Sequence, residues 1–120
     1  MRATEVFATE KNRLSKYQKA KEFVDYLEKK SDMLDNPEDI EDFNRRIQAK
    51  QALADKARSE IVDRIYLLDR VVFCEILELH FIEGVSLPDI ADRLGYTERH
   101  IRQLYSDAIY KLAEEYDPIA

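Results

Sequence analysis

Seven polar residues near the C-terminal end of this 120-residue chain are of types that recognise nucleic acid: Ser86, Thr97, Arg99, His100, Arg102, Gln103 and Ser106. Arginine donates two parallel hydrogen bonds to the O6/N7 edge of guanine, and glutamine matches the N6/N7 edge of adenine. Serine or threonine at a helix start, beside free backbone N–H groups, suits a phosphate oxygen. At about 100° per residue, Ile101, Leu104, Tyr105, Ala108, Ile109 and Leu112 share one side of a helix. Arg99, Gln103, Ser106 and Tyr110 fall opposite. Arg102 flanks one edge, and His100 and Asp107 the other. Such a helix buries one side and offers the other to a groove.

Catalytic and metal chemistry find no comparable support. There is no glycine-rich phosphate loop and no Cys/His pair at a useful spacing, and the carboxylates recur at helical surface periods. One cysteine, Cys74, and two distant histidines, His80 and His100, do not make a zinc set. The expectation is a protein that is not an enzyme and needs no cofactor.

The elements that must hold these side chains are short and well punctuated. Ser86 caps a helix over Leu87–Leu94, with Asp89 three residues on completing a capping pattern. Gly95 is where the chain turns, and Thr97 caps a third helix running to about Glu115. Ala91 is small enough to let the two helices cross. A short helix, a glycine turn and a second capped helix make a helix-turn-helix. Upstream, Asp69 is a candidate cap for an apolar helix over 70–82, in which Cys74 reads as a small buried hydrophobe and His80 as a helix-terminal residue. Gly84 stops that helix.

The first half reads as long helices. Tyr17, Ala20, Phe23, Val24 and Leu27 lie on one arc of a helix over Lys11–Lys30, whereas residues 1–9 show no clear period and read as loosely docked. Asn36 before Pro37 is a cap followed by proline at the first helical position. A second helix then runs towards Leu68, with Ile40, Phe43, Ile47, Ala54, Ala57, Ile61 and Leu68 forming a weak coiled-coil ladder that Lys50 and Arg64 interrupt. Two arrangements fit: a hairpin within the chain, or a helix pair between chains.

Composition agrees with an all-α fold. Two glycines and three prolines are too few for the turns of a β-rich chain, and 45% hydrophobic residues suffice for a core. No apolar run reaches the ~18 residues of a membrane span, and no signal peptide is visible, so a cytoplasmic protein is expected. The 19 Lys/Arg and 25 Asp/Glu give a net charge of −6. Residues 1–30 carry +3, residues 31–60 carry −3, 61–92 carry −5 and 93–120 carry −1. No segment has the strongly basic footprint that supplies most non-specific DNA affinity.

Val72–Leu112 resembles the region-4 helix-turn-helix of bacterial sigma factors, Thr97-Glu98-Arg99-His100-Ile101-Arg102-Gln103 being similar to the start of their recognition helix. The whole chain resembles small phage and prophage regulators of Gram-positive bacteria, the ArpU and RinA late-gene activators. The run from Ile82 to Thr97 carries that likeness. The resemblance implies an N-terminal helical part (1–68) for self-association or partner contact and a DNA-binding domain (69–120). It further implies double-stranded DNA as partner, with Arg99, His100, Arg102 and Gln103 at the bases, contact with RNA polymerase, and a homodimer formed through the N-terminal helices. Asp107 and Glu98 depart from the family's pattern by removing positive charge. Two other functions fit the same organisation: a small-terminase-like DNA-packaging protein, and a polymerase- or sigma-binding module that does not bind DNA by itself.

Overall fold

The computed structural model describes residues 3–116, folded into six helices: α1 (Ala3–Leu14), α2 (Lys16–Ser31), α3 (Pro37–Ile65), α4 (Val71–Phe81), α5 (Leu87–Leu94) and α6 (Glu98–Tyr116). No strand occurs among the described residues, and none of the helices is long and apolar enough to cross a membrane. The all-α expectation of long N-terminal helices ahead of a helix-turn-helix is what the chain adopts.

Residues 3–9, expected to be loosely docked, form most of α1. Their weak period has a physical cause: α1 buries a carboxylate as well as apolar side chains. Glu10 is 1% exposed. Arg64 donates to it twice, from Nε to Oε2 at 2.8 Å and from Nη2 to Oε1 at 2.5 Å, and Arg13 approaches at 3.5 Å. Leu14 is buried in the main core, and the Phe7 ring lies 5.3 Å from that of Tyr110 and 6.2 Å from that of Tyr105. The helix expected over Lys11–Lys30 is two helices meeting at Ser15. There the Ser15 hydroxyl donates to the Lys11 carbonyl at 2.7 Å, which also accepts the Ser15 N–H at 3.0 Å. Such back-bonding bends helices.

Asn36 accepts the Glu38 N–H at 2.9 Å and Pro37 opens α3, as the sequence indicates. A five-residue connection folds α3 back along α2, so the pair is an antiparallel hairpin within the chain. Val24, Leu27 and Ala54 are buried in its seam, and Ile40, Phe43 and Ile47 are half-buried beside them. Beyond Ala57 the α3 stripe enters a second, larger core. Ile61, Ile65 and Leu68 join residues of α4, α5 and α6 there, with Leu14 from α1.

Asp69 does not cap α4. Arg70 occupies that position and makes no capping hydrogen bond; its guanidinium lies 4.5 Å from the Phe73 ring. Cys74 is buried with its thiol 3.5 Å from the Ile65 and Leu68 carbonyls, and burial pushes its pKa up, so the thiol stays protonated and inert. His80 Nδ1 sits 2.9 Å from the Val85 carbonyl. With an acceptor opposite, that nitrogen carries the proton, and the contact ties the end of α4 to the turn before α5. Gln18 Nε2 donates to the His80 carbonyl at 2.8 Å and pins α2 to the same corner.

Two measurements probe this packing. Arg64→Ala leaves the Glu10 carboxylate buried without its main partner and is expected to cost about 3–5 kcal/mol, seen as a lower urea midpoint at unchanged slope. Burial raises the Tyr105 phenol from 10.0 to about 12. The folded chain therefore holds that proton longer than the unfolded one. The stability linked to it is complete below pH 10 and drains away as pH rises towards 12. Urea midpoints at increasing alkalinity across that interval should fall, and more steeply than in Tyr105→Phe.

Candidate nucleic-acid interface

The interface is built on α5 and α6. Ser86 Oγ accepts the Asp89 N–H at 3.3 Å and Pro88 sits in the first turn, so α5 starts where the capping residues place it. Gly95 ends α5 in the left-handed region at φ 75°, with its N–H donating to the Ala91 carbonyl. A Cβ at this position would meet nothing within 4 Å, so glycine is needed for backbone conformation and not for space. Thr97 Oγ1 accepts the His100 N–H at 3.2 Å and opens α6.

The two sides of α6 separate cleanly. Ile101, Leu104, Tyr105, Ala108, Ile109 and Leu112 are all buried, while Arg99, His100, Arg102 and Gln103 are exposed. Ser106 is half-buried, and Tyr110, on the same side, lies under Phe7 of α1. α1 thus occupies the far end of the outward side and leaves the first two turns open. Glu98, Arg99, Arg102, Gln103 and Ser106 line one shallow depression there. His100 lies on the other flank with its ring edge against Tyr96, 4.9 Å between centroids. Ser86 and Thr97 stand at the exposed starts of α5 and α6. Each hydroxyl oxygen accepts a backbone N–H, which leaves its O–H free to donate to a phosphate.

Two intrahelical contacts modify the chemistry. Arg102 Nε and Nη2 donate to Glu98 Oε1 at 3.1 and 2.7 Å, and Gln103 Nε2 donates to Asp107 Oδ1 at 2.9 Å. Both are spaced i, i+4, a spacing that the sequence displays and that marks Glu98 and Asp107 as competitors for the donor groups of Arg102 and Gln103. Arg99 is without an ion-pair or hydrogen-bond partner among the described residues. The face therefore carries two cations and two carboxylates, with one guanidinium available at once and the other behind a weak exposed pair. The buried Glu10–Arg64 pair, which sets where α1 lies, had no signal in the sequence, since the partners are 54 residues apart.

Comparison with known proteins covers this region alone. Residues 74–114, about a third of the chain, match the family described as sigma-70, region 4. No curated protein and no solved structure matches the chain. The match spans α4, α5 and α6 from Cys74 onward, the elements whose caps, glycine turn and divided helix have just been described. The C-terminal third thus holds a helix-turn-helix domain of the sigma-70 region 4 type, a DNA-binding architecture that points to a regulatory role.

Proposed function

We propose that this protein is a sequence-specific, DNA-binding transcriptional regulator that places the first two turns of α6 in the major groove. The observation that carries this reading is the division of α6: one side is wholly buried, and the other presents Arg99, Arg102 and Gln103 to solvent with α1 held clear of them. Arg99 and Arg102 would read guanine edges, Gln103 an adenine, and the hydroxyls of Ser86 and Thr97 would set the register on phosphates. His100 and Ser106 lie at the margins of that footprint. The phage or prophage setting and an activating role rest on the likeness of residues 82–97 to the late-gene activators. RNA polymerase would then be the second partner. With no net positive charge on the reading face, one copy has little electrostatic affinity. Self-association of the N-terminal helices, bringing two copies to a repeated site, compensates for that.

A gel-shift titration with sites selected from a random DNA pool tests the proposal. Arg102→Ala should weaken the selected site by about 1–3 kcal/mol and relax preference at one base pair. Unchanged affinity would remove α6 from the groove. Glu98→Gln frees Arg102 and deletes a repelling charge, so it should tighten binding roughly two- to tenfold at low salt. Polymerase capture with no salt-dependent DNA binding would favour an interaction module. A ring of many copies in a solution mass measurement would favour DNA packaging.

A further inference from the structure

The hairpin of α2 and α3 leaves a coherent set of apolar side chains uncovered midway along its length. Phe23 is 46% exposed, Tyr26 53% and Leu53 57%. The Phe23 and Tyr26 rings stack at 6.3 Å between centroids. The Lys50 ammonium lies 5.9 Å from the centre of the Phe23 ring, which brings α3 to the same patch. Leu53 follows Lys50 by three residues and so faces the same way. Isolated exposed apolar residues are ordinary, whereas an aromatic pair joined by a leucine from the neighbouring helix marks an interaction surface.

Charge along the hairpin identifies what covers it. The half of the arm nearest the C-terminal domain, residues 16–23 and 47–58, holds six Lys/Arg and two Asp/Glu, net +4. The distal half, residues 24–46, holds four Lys/Arg and eight Asp/Glu, net −4. Lys30 and Arg46 temper the distal half without reversing its sign. The apolar patch sits at the boundary between the two. A surface with a positive end, an apolar middle and a negative end is complementary to itself when one copy is turned end for end, the symmetry of an isologous two-fold interface. Side-by-side pairing in the same direction would set like charge against like at both ends, which is unfavourable.

We infer that the protein self-associates through this face into an antiparallel two-fold dimer, a four-helix arrangement centred on Phe23, Tyr26 and Leu53, with each acidic tip lying against the basic half of the other copy. This deepens the self-association included in the proposed function by naming the surface and its direction. The antiparallel direction places the two helix-turn-helix domains at opposite ends of the paired arms, so the DNA sites of one dimer are separated and inverted and cannot be adjacent.

The test is made on the full chain. Sedimentation equilibrium should return twice the 14.2 kDa chain mass, with dissociation promoted by salt. Leu53→Glu, at an exposed position, should keep the helical circular dichroism and raise the dimer dissociation constant by about tenfold or more. Single cysteines report direction, Cys74 being buried and out of reach. Lys50→Cys, near the two-fold axis, should form an interchain disulfide under mild oxidation. Met33→Cys, at the tip, should not, because antiparallel arms hold those positions about 30 Å apart. A disulfide at both positions would overturn the direction. A monomer at micromolar concentration, a larger ring, or a dimer indifferent to Leu53→Glu would overturn the interface. A monomer that still shifts DNA sinks the pairing and spares the DNA reading, whereas a dimer that ignores DNA does the reverse.

Discussion

A carboxylate with 1% exposure cannot be left alone, and the position of α1 follows from where Glu10 finds its cation. Arg64, near the end of α3, meets it with two hydrogen bonds. That pairing ties the first helix to the end of the long helix, close to where α3 enters the C-terminal core through Ile61 and Ile65. With α1 fixed there, Phe7 lands on Tyr105 and Tyr110 and closes the far end of α6. An interaction remote from the first two turns of α6 therefore decides how much of that helix's outward side is open.

Within α6 the same economy holds. The apolar residues on the inner arc bind α6 to α1, α4 and α5, and the T-shaped and stacked rings of His80, Phe81 and Tyr105 fix its depth. The outer arc has no packing duty at its start, so its residues answer to electrostatics alone. They answer ambiguously: Glu98 and Asp107 hold Arg102 and Gln103 in contacts worth only a few tenths of a kcal/mol each. Contacts that weak would yield to a phosphate or a base edge, so under the proposed function they would act as a brake on binding and disfavour loosely matched DNA.

Local signals explain how far the sequence could be read. Asn36-Pro37, Ser86, Gly95 and Thr97 act through hydrogen bonds and dihedral angles within a few residues, and α3, α5 and α6 begin or end where those residues place them. The helical fold of the described residues follows from the same local chemistry together with the scarcity of glycine. Reading failed where the deciding contact was distant or unconventional. α1 has a weak apolar period because part of its buried side is a charge. Ser15 bends the first helix with a bond that helix periodicity does not register. Asp69 is a good capping residue by type, but α4 begins one residue later, with Arg70 at its start laid on Phe73.

The divided α6, its capped start and the glycine turn before it were determined by sequence, since each depends on spacing along a single helix. So was the set of polar residue types that shares the outward arc of α6. Tertiary structure alone decided that the Lys16–Ser31 and Pro37–Ile65 helices pair within the chain, that α1 shields Tyr110 and leaves Arg99 free, and that the exposed Phe23 and Tyr26 rings stack with Lys50 of α3 beside them. The reason is physical: caps and periods are written in neighbouring residues, whereas the choice of which faces meet depends on the summed burial and charge pairing of residues dozens of positions apart, and no short stretch carries that sum.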